Sequence, residues 1–282
     1  MLRQRVITAL VLLALMLPAL FARSPWPFAL FTLVAISAAG WEWARLNGAA
    51  GALPAVASGV LLGLACAAGT GLLGPQQRLA PGWSVALARW VVGGAWVLRR
   101  GPAGWPLWPV RLRWALGLGL LWLAWLALAQ ARVIGIHFLL SVLCVVWMAD
   151  IAAYFSGRAF GKRKLAPSIS PGKSWEGVWG GAAGVLLLAA VWLWAEPNSP
   201  FWTIDSPSIF KLMLQRYGAL GLVAASLLLT ALSVTGDLFE SLVKRAAGVK
   251  DSSGLLPGHG GVLDRVDALL PVLPAAMALV TF

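Results

Sequence analysis

The sequence is short of charge, and shorter still of acid. Charged residues make up 11% of its 282 positions, only ten are acidic, and histidine, cysteine and tyrosine occur twice each. A soluble domain carries about 25% charged residues, so an ordinary cytosolic enzyme is excluded. Disorder is excluded too, because it requires few apolar residues. Cys66 and Cys144 both lie inside apolar stretches, which removes a disulfide scaffold and a cysteine-ligated zinc site. What is present is apolar: 60% hydrophobic residues and a mean hydropathy of +0.82. No soluble core of this size hides that much apolar surface, so the solvent is lipid. The net charge of +12 then has a topological meaning, and no nucleic-acid partner is expected.

A hydrocarbon core of about 30 Å takes roughly 20 apolar residues per helix. Windows of that size predict an all-α polytopic membrane protein with about nine transmembrane helices, at 6–22, 25–44, 51–73, 83–98, 114–130, 134–155, 177–195, 217–238 and 266–282. The first resembles a signal peptide, with Arg3 and Arg5 ahead of an apolar run. The fourth contains Arg89, expected to face the bundle or reach an interface because a central arginine costs about 2.5–3.5 kcal/mol on insertion. With the N-terminus inside, sixteen basic residues fall in one set of loops and five in the other. That bias places 157–173 and 239–265 in the cytosol and the C-terminus outside. Trp105, Trp108, Trp192, Trp194 and Trp202 read as interfacial anchors. The segment 99–113, with Pro102, Pro106 and Pro109, reads as an irregular connection. Residues 1–132 form a region of lipid-facing, dimerisation-competent helices, and 133–282 a catalytic region with a polar cavity.

Seven of the ten acidic residues fall in two windows, 150–176 and 237–267. Both also hold dense Lys and Arg, and both face the cytosol in this topology. Asp150 and Asp237 lie within apolar runs, where ionisable groups are costly and mark function by default. Asp237, Glu240, Ser241 and Lys244 are spaced i, i+3, i+4 and i+7, hence on one helical face. Asp264 and Asp267, again i and i+3, can face one point while Arg265 points elsewhere. Oxygen ligands on separate elements suit Mg²⁺, which binds one or two carboxylates plus substrate phosphates. The bland alternative is a set of intramembrane salt bridges, such as Asp237 with Lys244. Between these helices, Pro257-Gly258-His259-Gly260-Gly261 can turn backbone N–H groups toward an anion. His259 there could contact a phosphate, donate a proton or only pack, whereas His137 reads as structural. The earlier window supplies cations and hydroxyls but is not a P-loop, since its glycine spacing is wrong and no strand precedes it.

The run Ser241-Leu242-Val243-Lys244-Arg245, then Lys250-Asp251, then Pro257 to Asp267 closely resembles the C-terminal signature of the phosphatidate cytidylyltransferases, or CDP-diacylglycerol synthases. Asp150 to Tyr154, Gly157-Arg158, Gly161-Lys162 and Ser170 to Gly177 are similar to that family's other motif. One departure is Ala268, where many members carry serine. The resemblance implies transfer of the cytidylyl group of CTP to phosphatidate in a bacterial-type inner membrane, with the site facing the cytoplasm. It also implies Mg²⁺, with provision for a second cation, and a homodimer. It assigns the metal to Asp237 and Asp264. Candidate catalytic residues are then Lys244, Lys250, Asp251, His259 and Asp267. Candidate substrate-binding residues are Arg158, Lys162, Ser170, Lys173, Ser174, Glu176, Ser241, Arg245, Gly260, Gly261 and Arg265. Two alternatives stand beside this: a CTP-dependent polyprenol kinase, and a transporter with carboxylates on its cytosolic side.

Overall fold

The structure is a computed structural model and describes residues 2–73, 80–198 and 205–281. Its elements run α1 (Leu2–Phe21), α2 (Trp26–Leu46), α3 (Ala52–Leu73), α4 (Ala80–Ala88), a π-helical segment (Arg89–Gly94), α5 (Ala95–Gly104), α6 (Val110–Ile134), α7 (Ile136–Phe160), β1 (Lys164–Ala166), β2 (Ser170–Ser174), α8 (Trp175–Asn198), α9 (Ile209–Ala246), α10 (Leu263–Val266) and α11 (Leu269–Thr281). Among the described residues, α1, α2, α3, α6, α7, α8 and α9 are the seven helices long and apolar enough to cross a membrane. A helix closes all its own backbone hydrogen bonds, which is why an apolar chain in lipid takes this form.

The two other expected spans are helical but built differently. Window 83–98 runs through α4, the π segment and α5. Its Trp90 and Gly94 are buried, and a Cβ on Gly94 would sit 2.9 Å from Thr235 of α9. That packing leaves Arg89 off the buried face of this segment. Arg89 is exposed on the wall of a largely apolar cavity of about 710 Å³ between α4 and α6. Window 266–282 yields α11, whose 13 residues extend only about 20 Å at 1.5 Å per residue. Every residue from Leu270 to Ala278 is buried, against α4, α6, α7 and α9, as a helix apolar on all sides requires.

Three local expectations change. Helix continues through much of 99–113, with a break at Gly101 (φ 69°), and α6 begins at Val110. Trp105 and Trp192 are core residues rather than interfacial anchors, because each indole N–H finds a buried acceptor. Trp105 donates to Asn47 Oδ1 at 2.9 Å, and Trp192 to His137 Nε2 at 2.9 Å. Trp194 is 71% exposed, as an anchor would be, and Trp202 lies outside the described residues. Finally, an antiparallel hairpin interrupts the helices, with Lys164 opposite Ser174 and Ala166 opposite Ser170. Pro167 and Pro171 disfavour helix there, and the hairpin carries Lys173 toward α9.

Helix α8 packs on α7 through Gly177, Gly180, Gly181 and Gly184. A Cβ on Gly180 would lie 1.9 Å from Ser156 Oγ, and one on Gly181 2.9 Å from the Ala149 carbonyl. Small residues let membrane helices approach this closely. Helix α9 runs 38 residues with one break at Gly218 (φ 69°), and its last turns hold the Asp237 face. Contacts also cross the 132/133 boundary, since α11 packs on α4 and α6, and α10 on α2.

Candidate active site

The site is assembled around the last three turns of α9. Gly236 has no Cβ, and one placed there would lie 2.4 Å from the Asp267 carbonyl. This close approach brings Asp267 within electrostatic reach of Asp237, and α7 brings Asp150 there as well. Lys173, from β2, pairs with Asp237 Oδ2, and Ser241 donates to Asp237 Oδ1 at 3.3 Å. Lys244 pairs with Glu240 one turn earlier and with Asp264 Oδ1 at 2.5 Å. Salt bridges therefore exist at this end, but Asp237 is paired with Lys173 rather than Lys244. Glu240 is 2% exposed, and its Oε1 has no hydrogen-bond donor among the described residues. Carboxylate and ammonium groups thus converge from β2, α7, α9 and the start of the last segment.

The loop from Ala247 to Val262 is held by two carboxylates. Asp264 Oδ2 accepts from Gly261 N at 2.7 Å and from Ser252 N at 2.9 Å, and it shares with Glu42 Oε2 the one proton of the Ser252 hydroxyl, 2.9 Å away. Burial opposes its ionisation, but the Lys244 ammonium and the Gly261 and Ser252 N–H groups outweigh this and hold its carboxyl below the ordinary value. The second carboxylate is Glu42 of α2, 0% exposed. Glu42 Oε1 accepts from Ser253 Oγ at 2.5 Å and Val262 N at 2.9 Å, and Oε2 from Leu263 N at 2.7 Å and Ser252 Oγ at 3.0 Å. Among the described residues it meets hydrogen-bond donors and no cation, and a buried carboxyl group requires such partners. Gly261 sits at the junction, where a Cβ would lie 2.4 Å from Glu42 Oε1. Lys250, Asp251, His259, Gly260 and Arg265 line one polar pocket of about 530 Å³ on the outer side of this loop.

Against this geometry the comparisons with known proteins are decisive. A family model described as the cytidylyltransferase family matches residues 3–282. The chain belongs to the cytidylyltransferase family. It is 43% identical to a phosphatidate cytidylyltransferase of Pseudomonas aeruginosa over 291 aligned positions, covering 99% of this chain and 97% of that protein. A phosphatidate cytidylyltransferase of Brucella suis is 37% identical over 95% of this chain and 89% of its own length. One from Haemophilus influenzae is 49% identical over 140 residues, half of this chain and 44% of that protein.

The remaining candidates divide by what their polar atoms do. Ser174, buried, caps α8 by accepting from Gly177 N at 3.2 Å. Glu176 accepts the backbone N–H of Lys162 at 3.1 Å and of Arg163 at 3.2 Å, fixing the approach to β1. Arg245 donates to the Ile169 carbonyl at 3.4 Å and joins α9 to the hairpin. Ser170 opens β2, and Arg158, exposed near the end of α7, reaches Tyr154 Oη at 3.4 Å. Arg265 donates to the His259 carbonyl at 2.6 Å. Glu42 is the residue that reading the sequence left out. The available signal was its type and place: one acid in the apolar run of α2, where an ionisable group is a functional hypothesis by default.

Proposed function

We propose that the chain transfers the cytidylyl group of CTP to phosphatidate, giving CDP-diacylglycerol and pyrophosphate. The observation that carries this reading is the pairing of Lys173 with Asp237 and of Lys244 with Asp264, at the polar end of membrane-spanning helices and beside a glycine-rich anion loop. A phosphate oxygen of phosphatidate, already ionised near neutrality, attacks the α-phosphorus of CTP. The bond from that phosphorus to the bridging oxygen breaks, and pyrophosphate leaves. No base is required for the attack. Lys173 and Lys244 neutralise phosphate oxygens and hold the two reactants in line. Lys250 and Arg265 balance the charge of the leaving group, and His259 lines the same pocket. Asp251, in the same pocket as Lys250 and Arg265, and Asp267, within electrostatic reach of Lys173 and Lys244, offset the mutual repulsion of these cations.

The donor set suits a hard cation. Among the described residues no three His, Cys, Asp or Glu side chains converge as a ready-made metal site, so the protein can offer an ion two ligands. That is the share Mg²⁺ takes when substrate phosphates complete its shell. Asp237 and Asp264 would hold it. When bound, Mg²⁺ supplies charge stabilisation on the transferring and leaving oxygens. The loop-charge asymmetry supports a cytosol-facing site in a bacterial-type inner membrane, and the family resemblance supports a homodimer.

The test is product analysis with purified protein, CTP, phosphatidate and Mg²⁺. CDP-diacylglycerol and pyrophosphate in equal amounts are expected. CDP and a newly phosphorylated lipid would mean a kinase, and CTP-independent solute flux in liposomes a transporter.

A further inference from the structure

Helix α1 reads from its sequence as an apolar membrane helix with two arginines at its start, yet its first turns reach the catalytic loop. Thr8 Oγ1 donates to the Pro257 carbonyl at 2.9 Å across 249 residues of sequence. Gly258 has φ +78°, a conformation that side chains rarely adopt, and a Cβ there would lie 2.9 Å from Arg5 Cγ. The loop backbone is thus pressed against the stem of Arg5. Arg5 lines the same polar pocket of about 530 Å³ as Lys250, His259 and Arg265.

We propose that Arg5 completes, with Lys250, His259 and Arg265, a subsite for the pyrophosphate portion of the nucleotide, the part that departs as inorganic pyrophosphate. The proposal rests on the reaction given above and extends it to a residue outside both sequence motifs. Three cations face one carboxylate, Asp251, so the pocket calls for a multiply charged anion. His259 Nδ1 is buried and has no hydrogen-bond partner among the described residues. Arg265 directs one nitrogen to the His259 carbonyl, which leaves other guanidinium N–H groups for the pocket. A lipid phosphate is the other source of this chemistry, but it needs an apolar wall for its glycerol and chains. Leu256 is the one large apolar side chain lining this pocket among the described residues. Gly260 separates the pocket from Asp264, since a Cβ on Gly260 would lie 2.6 Å from Asp264 Oδ2. Gly260 is thus the point at which a leaving group in the pocket stays joined, through one bridging oxygen, to an α-phosphorus on the Asp264 side.

The experiment titrates inorganic pyrophosphate with Mg²⁺ into the full-length protein in detergent, without lipid substrate, by calorimetry. Four proteins are compared: wild type, Arg5→Gln, Arg5→Lys and Arg3→Gln. Losing a charge-assisted hydrogen-bonding partner should weaken binding by about tenfold or more in Arg5→Gln. Arg5→Lys, which keeps charge but not the fork of donors, should fall between. Arg3→Gln removes the same charge from the same helix and should bind as wild type. In turnover, the KM for CTP should rise with Arg5→Gln while that for phosphatidate stays constant. Wild-type binding by Arg5→Gln overturns the proposal, as does equal weakening in Arg3→Gln. A rise confined to the phosphatidate KM would instead make the pocket a lipid-headgroup site. Should Arg5→Gln lose its melting transition, Arg5→Lys carries the test, and unchanged binding there is the overturning result. Wild-type pyrophosphate binding without CDP-diacylglycerol formation would sink the proposed reaction and leave the subsite standing.

Discussion

The two ends of the helix bundle differ in their carboxylates: both hold acids that secure backbone, Glu42 and Glu176 among them at the site end, but only there are acids paired closely with lysine among the described residues. At the end bearing Asp205 and Glu196, each carboxylate secures a helix start. Asp205 accepts from Ile136 N at 2.7 Å and His137 N at 3.2 Å, closing the first turn of α7. Glu196 accepts from Ser208 Oγ at 2.7 Å and stands 3.6 Å from the partly exposed Lys211 ammonium, and Ser208 in turn caps α9 by accepting from Lys211 N at 3.2 Å. These acids satisfy orphan donors of helix N-termini, where negative charge is favourable. At the other end, Asp237 and Glu240 face lysine ammonium groups rather than backbone. A mobile ammonium can yield its place to a ligand, whereas a backbone N–H cannot leave its helix. The difference separates acids that build the frame from acids available for chemistry. Asp264 stands between, with one oxygen on Lys244 and the other on the loop backbone.

The sharpest way to break this contrast is to neutralise the lysine-facing acids. Asp237→Asn and Asp264→Asn should each lose about 10²–10³ in kcat, the scale seen when one electrostatic stabiliser of a transition state is removed. Turnover across a Mg²⁺ titration checks this, and near-wild-type rates in both variants at low Mg²⁺ would erase the distinction. Next in size is Glu42→Gln. An amide there must turn an N–H toward the Val262 or Leu263 N–H, losing hydrogen bonds to a charged acceptor worth about 1.5–3 kcal/mol each. Lower thermal stability in detergent is expected, with a loss of activity of about tenfold or more as the loop loses its anchor. A smaller effect is expected for Asp205→Ala, about 1 kcal/mol of stability, as for a lost helix cap. Its activity per folded molecule should be unchanged, and a drop in kcat would show that the two ends are coupled. Smallest is Glu196→Gln, which should be nearly silent in the same turnover assay.

Much of this was legible in the sequence because the signals were local. The i, i+3, i+4, i+7 spacing placed Asp237, Glu240, Ser241 and Lys244 on one face, and the structure keeps them on the last turns of α9. Apolar runs of about 20 residues marked the seven long helices. What was not legible depended on distant partners. Trp105 looks like an anchor until Asn47 is found to receive its N–H, 58 residues away. Arg89 lies off the buried face of its segment because Gly94 and Trp90 pack against α9, a detail no single window contains. The salt-bridge partner of Asp237 sits in a hairpin 64 residues earlier, so helix periodicity pointed to Lys244 instead. Ser174 and Glu176 lie in a motif rich in polar residues, and only the coordinates reveal that their oxygens cap a helix and a turn.

The span between Glu42 and its partners also sets a schedule for synthesis. Ser252 follows Glu42 by 210 residues, and chains emerge from ribosomes at about 5–20 residues per second. The carboxyl must therefore reside in the nascent bundle for roughly 10–40 s before any of its donors has been made. During that interval α2 is an apolar helix carrying an acid that nothing yet satisfies. Insertion and early helix pairing have to tolerate it, and the catalytic loop can take its final form only when nearly the whole polypeptide has left the ribosome. A chain stopped short of residue 252 would keep most of its membrane helices but have no donors for Glu42, leaving an intermediate that quality control could recognise by its unsatisfied acid.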